Sequence, residues 1–184
     1  GWYYQYATKV SVEEYVEQII PTTTISYHGG MIQWDAYAPD RMMYGSETTF
    51  AWCQKQVAGQ YVQFTFNIPR ILNSISVLTA ASGDIMGAAD FQVSLTGEEG
   101  DWTTVAKLVS TQRQTVTFEP VKAYFARIYI TEPVPKWLKL YEVVIGETDK
   151  LLIKGDVDNS GALDANDAVA LINRILGKEN IEDF

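Results

Sequence analysis

Residues 155–167, GDVDNSGALDAND, place carboxylates and small polar groups at alternate positions up to a glycine. So much negative charge in one short loop repels itself unless a cation sits within it. Counted from Asp156 as the first position, Asp158 is third, Ser160 fifth, Gly161 sixth and Asp167 twelfth, the register of a calcium loop. Ca²⁺ takes roughly six to eight hard oxygen ligands. Here they are the side chains of Asp156, Asp158 and Ser160, the carbonyl of Ala162 and the acid of Asp167, while Gly161 permits the sharp turn. Asp164, at the ninth position, acts through water or caps the helix that follows.

No comparable set serves catalysis. One His and one Cys rule out the common triads on inventory. A glycosidase needs two carboxylates facing each other across a cleft, whereas the remaining acids lie in turns, such as Glu98, Glu99 and Asp101, or near the ends. The chain therefore reads as noncatalytic. Cys53 stands alone, which excludes a disulfide framework and a multi-Cys zinc site, and it reads as a small buried apolar group.

The 184 residues carry a net charge of −9, and no stripe of Lys or Arg offers a surface to nucleic acid or anionic lipid. No apolar run approaches the ~20 residues of a spanning helix. The first residues lack the basic-then-apolar order of a signal peptide, so the expectation is that the chain begins inside something longer.

The elements that must position these groups divide the chain. Over residues 1–21, Ser11 and Glu14 form a capping box ahead of Val12, Tyr15, Val16 and Ile19 at helical spacing, predicting a short lead-in helix, or the tail of a preceding domain, ended by Pro21. Beyond it the period changes to two. Val62, Phe64, Phe66 and Ile68 alternate with polar residues, as do Phe91, Val93 and Leu95. Further runs at 74–78, 103–109, 114–120, 123–130 and 138–145 predict short strands separated by turns such as SGD, TGEEGD and EPVPK. Such strands without crossover helices predict an antiparallel β-sandwich or jelly roll over 22–146, a linker at 147–150, and a calcium loop with a helix in 151–184. That helix, at 165–176, carries Val169, Leu171, Ile172, Ile175 and Leu176 on an apolar face.

The stretch GDVDNSGALDANDAVALINRILGKENI resembles one calcium-binding repeat of a dockerin, the small module that plugs secreted glycan-degrading enzymes into cohesin-bearing partners. An Asp at the twelfth position and an extended LLIK before the loop carry that resemblance. Dockerins hold two such repeats, and only one is present. The resemblance implies a cohesin partner for a full-length parent protein.

The ordered series ETTFAWCQKQVAGQYVQFTFNIPRILNSISVL, DFQVSLTGEEGDWTTVA and EPVKAYFARIYITEPVPKWLKLYEVVI resembles a discoidin-type, or coagulation-factor type C, domain. The branch it is most similar to serves as carbohydrate-binding modules on bacterial glycosidases, among them β-N-acetylglucosaminidases and hyaluronidase-like enzymes. The resemblance implies a secreted or cell-surface bacterial setting and a glycan ligand with terminal galactose, N-acetylgalactosamine or N-acetylglucosamine. It also implies a structural calcium, to which Asp40, Ser46, Thr49 and Glu142 correspond by position.

A sugar site needs a ring face for the apolar side of a pyranose and a few polar partners for its hydroxyls. Loops 28–37, 52–56, 81–87 and 132–137 supply both. Trp34, Tyr37 and Trp137 are the candidate ring faces, and His28, Gln54, Asp84 and Lys136 the candidate hydrogen-bonding groups. Trp52 and Trp102 read instead as packing residues. The alternative to a glycan-binding module is a structural spacer or protein-interaction module without a working sugar site.

Overall fold

The computed structural model describes residues 20–148 and 165–176. Among the described residues seven strands appear in order: β1 (Thr23–His28), β2 (Ala51–Cys53), β3 (Tyr61–Thr79), β4 (Ala88–Ser94), β5 (Thr103–Leu108), β6 (Arg113–Glu132) and β7 (Leu138–Glu147). A helix α1 (Ala165–Ile175) follows. All strand pairs are antiparallel, in the order β2-β7-β3-β6-β4-β5, with β1 also on β3.

Two long strands make the architecture. The first half of β3 lies between β1 and β6, with Ile25 opposite Phe64 and Phe64 opposite Ala126. Its second half lies between β7 and β6, with Ile75 opposite both Ile145 and Val116. β1 and β7 thus occupy the same side of β3 in succession, and the pairing folds into a discoidin-like β-sandwich with layers β1-β3-β6-β4-β5 and β2-β7-β3-β6.

The passage between layers is written in register shifts. One falls between Thr65 and Arg70, around Pro69, and another between Leu72 and Ser74. Proline cannot donate to a ladder, so it sits where pairing is interrupted. An inserted residue also flips the alternating faces. Val62, Phe64 and Phe66 point inward before the shifts, Ile75 and Val77 after them. The sequence pattern predicts two separate strands at 61–68 and 74–78, and likewise at 114–120 and 123–130. Each pair is one continuous strand that runs through its proline.

Both layers contribute to one core. Phe64, Phe91, Ile128 and Ile130 meet Ile75, Leu138, Leu140 and Val143, and Met31, Met42 and Met86 close it from the connecting segments. Each fully buried side chain of this size contributes about 1.5–3 kcal/mol. Gly87 is needed where the 80–87 loop rejoins the sheet, because a Cβ there would lie 2.3 Å from the carbonyl oxygen of Glu132.

The expected lead-in helix lies outside the described residues, as do Asp156, Asp158, Ser160 and Ala162 of the calcium loop. Asp167 falls within α1. On that helix Val169, Leu171, Ile172 and Ile175 are exposed, as is Leu176 just after it, and Ala170 is buried.

Candidate functional site

β2 and β7 build an aromatic face by simple alternation. Ala51, Cys53, Leu138 and Leu140 point into the core, so their neighbours Trp52 and Lys139, which are paired across the strands, point out. Phe50 and Gln54 share the parity of Trp52, and Trp137 and Tyr141 that of Lys139. Cross-strand neighbours on one face stand close enough to interact.

A second chain segment lies along the free edge of β2. Trp34 N–H donates to the Trp52 carbonyl at 2.9 Å, Trp52 N–H to the Tyr37 carbonyl at 3.2 Å, and Gln54 N–H to the Ile32 carbonyl at 2.8 Å. Gln33 bridges Cys53. Asp35 makes the tight turn between Trp34 and Tyr37 with φ of 46°, a conformation that Asp tolerates better than most residues. Trp34 and Tyr37 are thereby set on either side of Trp52.

The rings then meet. Trp34 lies 5.0 Å from Trp137 and 6.4 Å from Trp52 between centroids, and Trp52 lies 5.2 Å from Trp137. Tyr37 stacks on Phe50 at 4.9 Å and meets Trp52 edge-on at 5.3 Å. Trp34, at 42% exposure, is the most open of these rings. Charge is threaded through the cluster. Asp84 Oδ2 accepts a hydrogen bond from Trp52 Nε1 at 3.1 Å and lies 3.6 Å from Lys139 Nζ. That ammonium stands 4.4 Å from the Trp52 ring centroid and 4.7 Å from that of Phe50, and Arg41 lies over Tyr37 at 5.1 Å.

Two buried polar side chains hold the loops in place. Gln56, 2% exposed, donates through Nε2 to the carbonyls of Ile85 and Trp137 and accepts from Gly87 N–H. Thr79 Oγ1 donates to the Lys139 carbonyl and accepts from Met86 N–H. Neither residue is singled out by the sequence, since a lone Gln or Thr in a polar run carries no sign of burial.

Of the sequence candidates, Trp34, Tyr37, Asp84 and Trp137 come together here, with Gln54 on the adjoining backbone. Trp52, read as a packing residue, is the centre of the cluster and half-buried. Lys136 is exposed, and its backbone carbonyl accepts from Gln56 N–H. His28 stands elsewhere. Its Nε2 lies 2.8 Å from Ser26 Oγ, and its ring stacks on Tyr61 at 4.9 Å on the outer face of the other layer. There Arg127, 6% exposed, lies 4.7 Å from the Tyr61 ring and 4.0 Å from that of Trp102, and donates to Gln92. Trp102 packs on that guanidinium.

The residues expected to hold a structural calcium lie near the turn after the short Pro39–Met43 helix. Asp40 Oδ2 accepts from Tyr44 OH, and Ser46 Oγ accepts from the N–H groups of Thr48 and Thr49. Glu142 faces this turn across Gly45, where a Cβ would be 3.9 Å from Oε1. These are oxygen donors of the kind a hard cation takes, although Asp40 and Ser46 already accept internal hydrogen bonds. Among the described residues no group of three or more His, Cys, Asp or Glu converges. Burial pushes the Cys53 thiol up to about 12, and it is no nucleophile at neutral pH.

The F5/8 type C domain model matches residues 21–143. Among solved structures, CBM32-1 of a family 31 glycoside hydrolase from Clostridium perfringens is 15% identical with a TM-score of 0.56, covering 66% of this chain and 92% of that one. Chitosan-binding module 2 of a chitosanase/glucanase from Paenibacillus sp. IK-5, in complex with chitotriose, is 18% identical with a TM-score of 0.55, covering 67% and 94%. The CBM32-1 and CBM32-2 domains of ZmpB from Clostridium perfringens, in complex with GalNAc, give 16% identity and a TM-score of 0.55, covering 66% and 32%. No curated protein sequence matches the chain.

Proposed function

The chain belongs to the F5/8 type C domain family, and from that premise we propose that it is a noncatalytic glycan-binding module whose ligand rests on the face of β2 and β7. The observation that carries this reading is the contact of Trp34 and Trp137, centroids 5.0 Å apart, beside the Asp84–Lys139 pair. Ring faces cover the apolar side of a pyranose, the carboxylate accepts from hydroxyls and the ammonium donates to them. Solved structures of the same fold carry GalNAc and chitotriose, which makes amino sugars the first ligands to try.

Such a module works by raising the local concentration of glycan near whatever it is joined to. We infer that its setting is a larger secreted glycoside hydrolase, with residues 151–184 as a dockerin repeat for cohesin. The support for that part is the ligand spacing of Asp156, Asp158, Ser160, Ala162 and Asp167 alone. In the sandwich, Asp40, Ser46, Thr49 and Glu142 would hold a calcium that stiffens the turn; none of them moves a proton or bears on chemistry.

The spacer reading has an observation of its own: these rings cover one another more than they face solvent. Calorimetric titration of galactose, N-acetylgalactosamine and N-acetylglucosamine, with calcium present, separates the two. Binding that Trp34→Ala or Trp137→Ala abolishes supports the glycan site. Absence of binding to all three and to a broad glycan array favours the spacer.

A further inference from the structure

We propose that the β2–β7 face holds an oligosaccharide along its length rather than one terminal sugar, with a second sugar ring in the pocket formed by Tyr141, Arg113 and Glu47. The inference rests on the glycan reading above. Phe50 joins the two ends, with its centroid 6.0 Å from Trp52 and 5.2 Å from Tyr141. From Trp137 through Trp34, Trp52 and Phe50 to Tyr141, each ring lies within 6.4 Å of the next. The rings form one unbroken path.

Tyr141 lines a cavity of about 270 Å³ together with Glu47, Thr79, Gln112 and Arg113. That volume is just under the roughly 300–1,000 Å³ of drug-sized pockets, the scale of a single ring. Arg113 and Glu47 form an ion pair with side chains 58% and 68% exposed, so both keep hydrogen-bonding capacity for an incoming group. A guanidinium only donates and a carboxylate only accepts, and together they meet both roles of a sugar hydroxyl. The pocket thus repeats the chemistry of the other end, where Asp84 and Lys139 flank Trp52.

A ligand made of repeating rings fits a site that offers the same chemistry twice along an aromatic path. A single sugar would leave one end unused. In the Asp84–Lys139 pair and in the Glu47–Arg113 pair alike, one cation offsets one carboxylate, so neither pair gives a sulfated or uronic ring a net electrostatic advantage.

The test is calorimetry on the whole chain with N-acetylglucosamine and galactose, each as the monosaccharide and as β-1,4 oligomers of up to about six units. Affinity should climb roughly tenfold or more from one unit to the longer oligomers of the series that binds. Arg113→Ala should cancel most of that gain while leaving the monosaccharide within about twofold, and Tyr141→Leu should cost the long oligomers roughly 3- to 10-fold. Trp34→Ala should weaken every length. Affinity independent of length, or an Arg113→Ala effect equal on one unit and six, overturns the extended site and leaves the glycan reading standing. Binding by no member of either series overturns the extended site, while the glycan reading is decided separately by the titration with N-acetylgalactosamine and the glycan array.

Discussion

Trp52 Nε1 donates to Asp84 Oδ2 at 3.1 Å, and the same oxygen lies 3.6 Å from Lys139 Nζ, so one carboxylate fixes both an indole and an ammonium. Trp52 and Lys139 are cross-strand partners on β2 and β7, and Asp84 reaches them from the loop between β3 and β4. The pair of strands and the loop are locked as one surface.

Asp84→Ala removes the indole's acceptor and the ammonium's partner together. We expect a loss of about 0.5–1.5 kcal/mol in urea unfolding, with weaker sugar binding. Asp84→Asn keeps an acceptor for Nε1 and should recover most of the stability. Equal stability of the two variants would show that the hydrogen bond to Trp52 is unimportant.

Gln56→Ala strips the backbone groups of Ile85, Gly87 and Trp137 of their shared partner. Leaving such buried groups unpaired should cost about 2–4 kcal/mol in total. Because the amide ties the 81–87 loop to Trp137, sugar affinity should fall even at temperatures where the variant is fully folded. Titration well below the unfolding midpoint checks this.

Arg127→Met replaces the guanidinium between Trp102 and Tyr61 with an apolar chain that cannot donate to Gln92. About 1–3 kcal/mol of stability should be lost, with a shift in tryptophan emission. Glycan affinity should stay the same, since this stack lies on the other layer. Arg127→Lys should not restore the wild-type value, because an ammonium cannot stack as a plane.

Asp101 accepts from the Ser94 hydroxyl, from Thr96 through its hydroxyl and N–H, and from Leu95 N–H. The Ser94 hydroxyl first, then the Thr96 groups, hold its carboxyl down at about 2 against an ordinary 3.8. Its folded value is the depressed one, so its contribution is full above the unfolded value and is lost as pH falls from about 3.8 toward about 2. Thermal midpoints across pH 2–5 should fall less steeply for Asp101→Asn than for wild type. Parallel curves would contradict the assignment.

Much of the sandwich is legible in the chain because alternation at Val62, Phe64 and Phe66, and again at Phe91 and Val93, reports a buried face directly. What escapes is the continuity of β3 and β6. Pro69 reads as a stop, yet β6 resumes its pairing with the strand at Arg70 and carries it past the proline, a tertiary effect with no local signature. β2 is too short for its period to register, and only its pairing with β7 reveals that Trp52 faces outward. Trp34, Tyr37, Asp84 and Trp137 were findable as loop aromatics with a nearby acid. His28 was not separable from them by type or spacing; its ring is claimed by Tyr61 across the β1–β3 ladder. Trp102 and Arg127 look unrelated along the chain and meet only because β4 brings its neighbours β5 and β6 together.

The β2–β7 pairing also sets a timetable for synthesis on the ribosome. Within the sheet β2 has β7 as its one neighbour, and Gln56 and Trp137, which bond to each other, stand 81 residues apart. Trp52 and Trp34 emerge early and have only each other's segments to pair with while the rest of the domain is made. A nascent chain stopped before Leu138 lacks the strand that orders them, as well as Lys139 and Tyr141. On the glycan reading proposed above, binding competence arrives last, with the closing strand, and a glycan affinity column should retain finished domains and let interrupted ones pass.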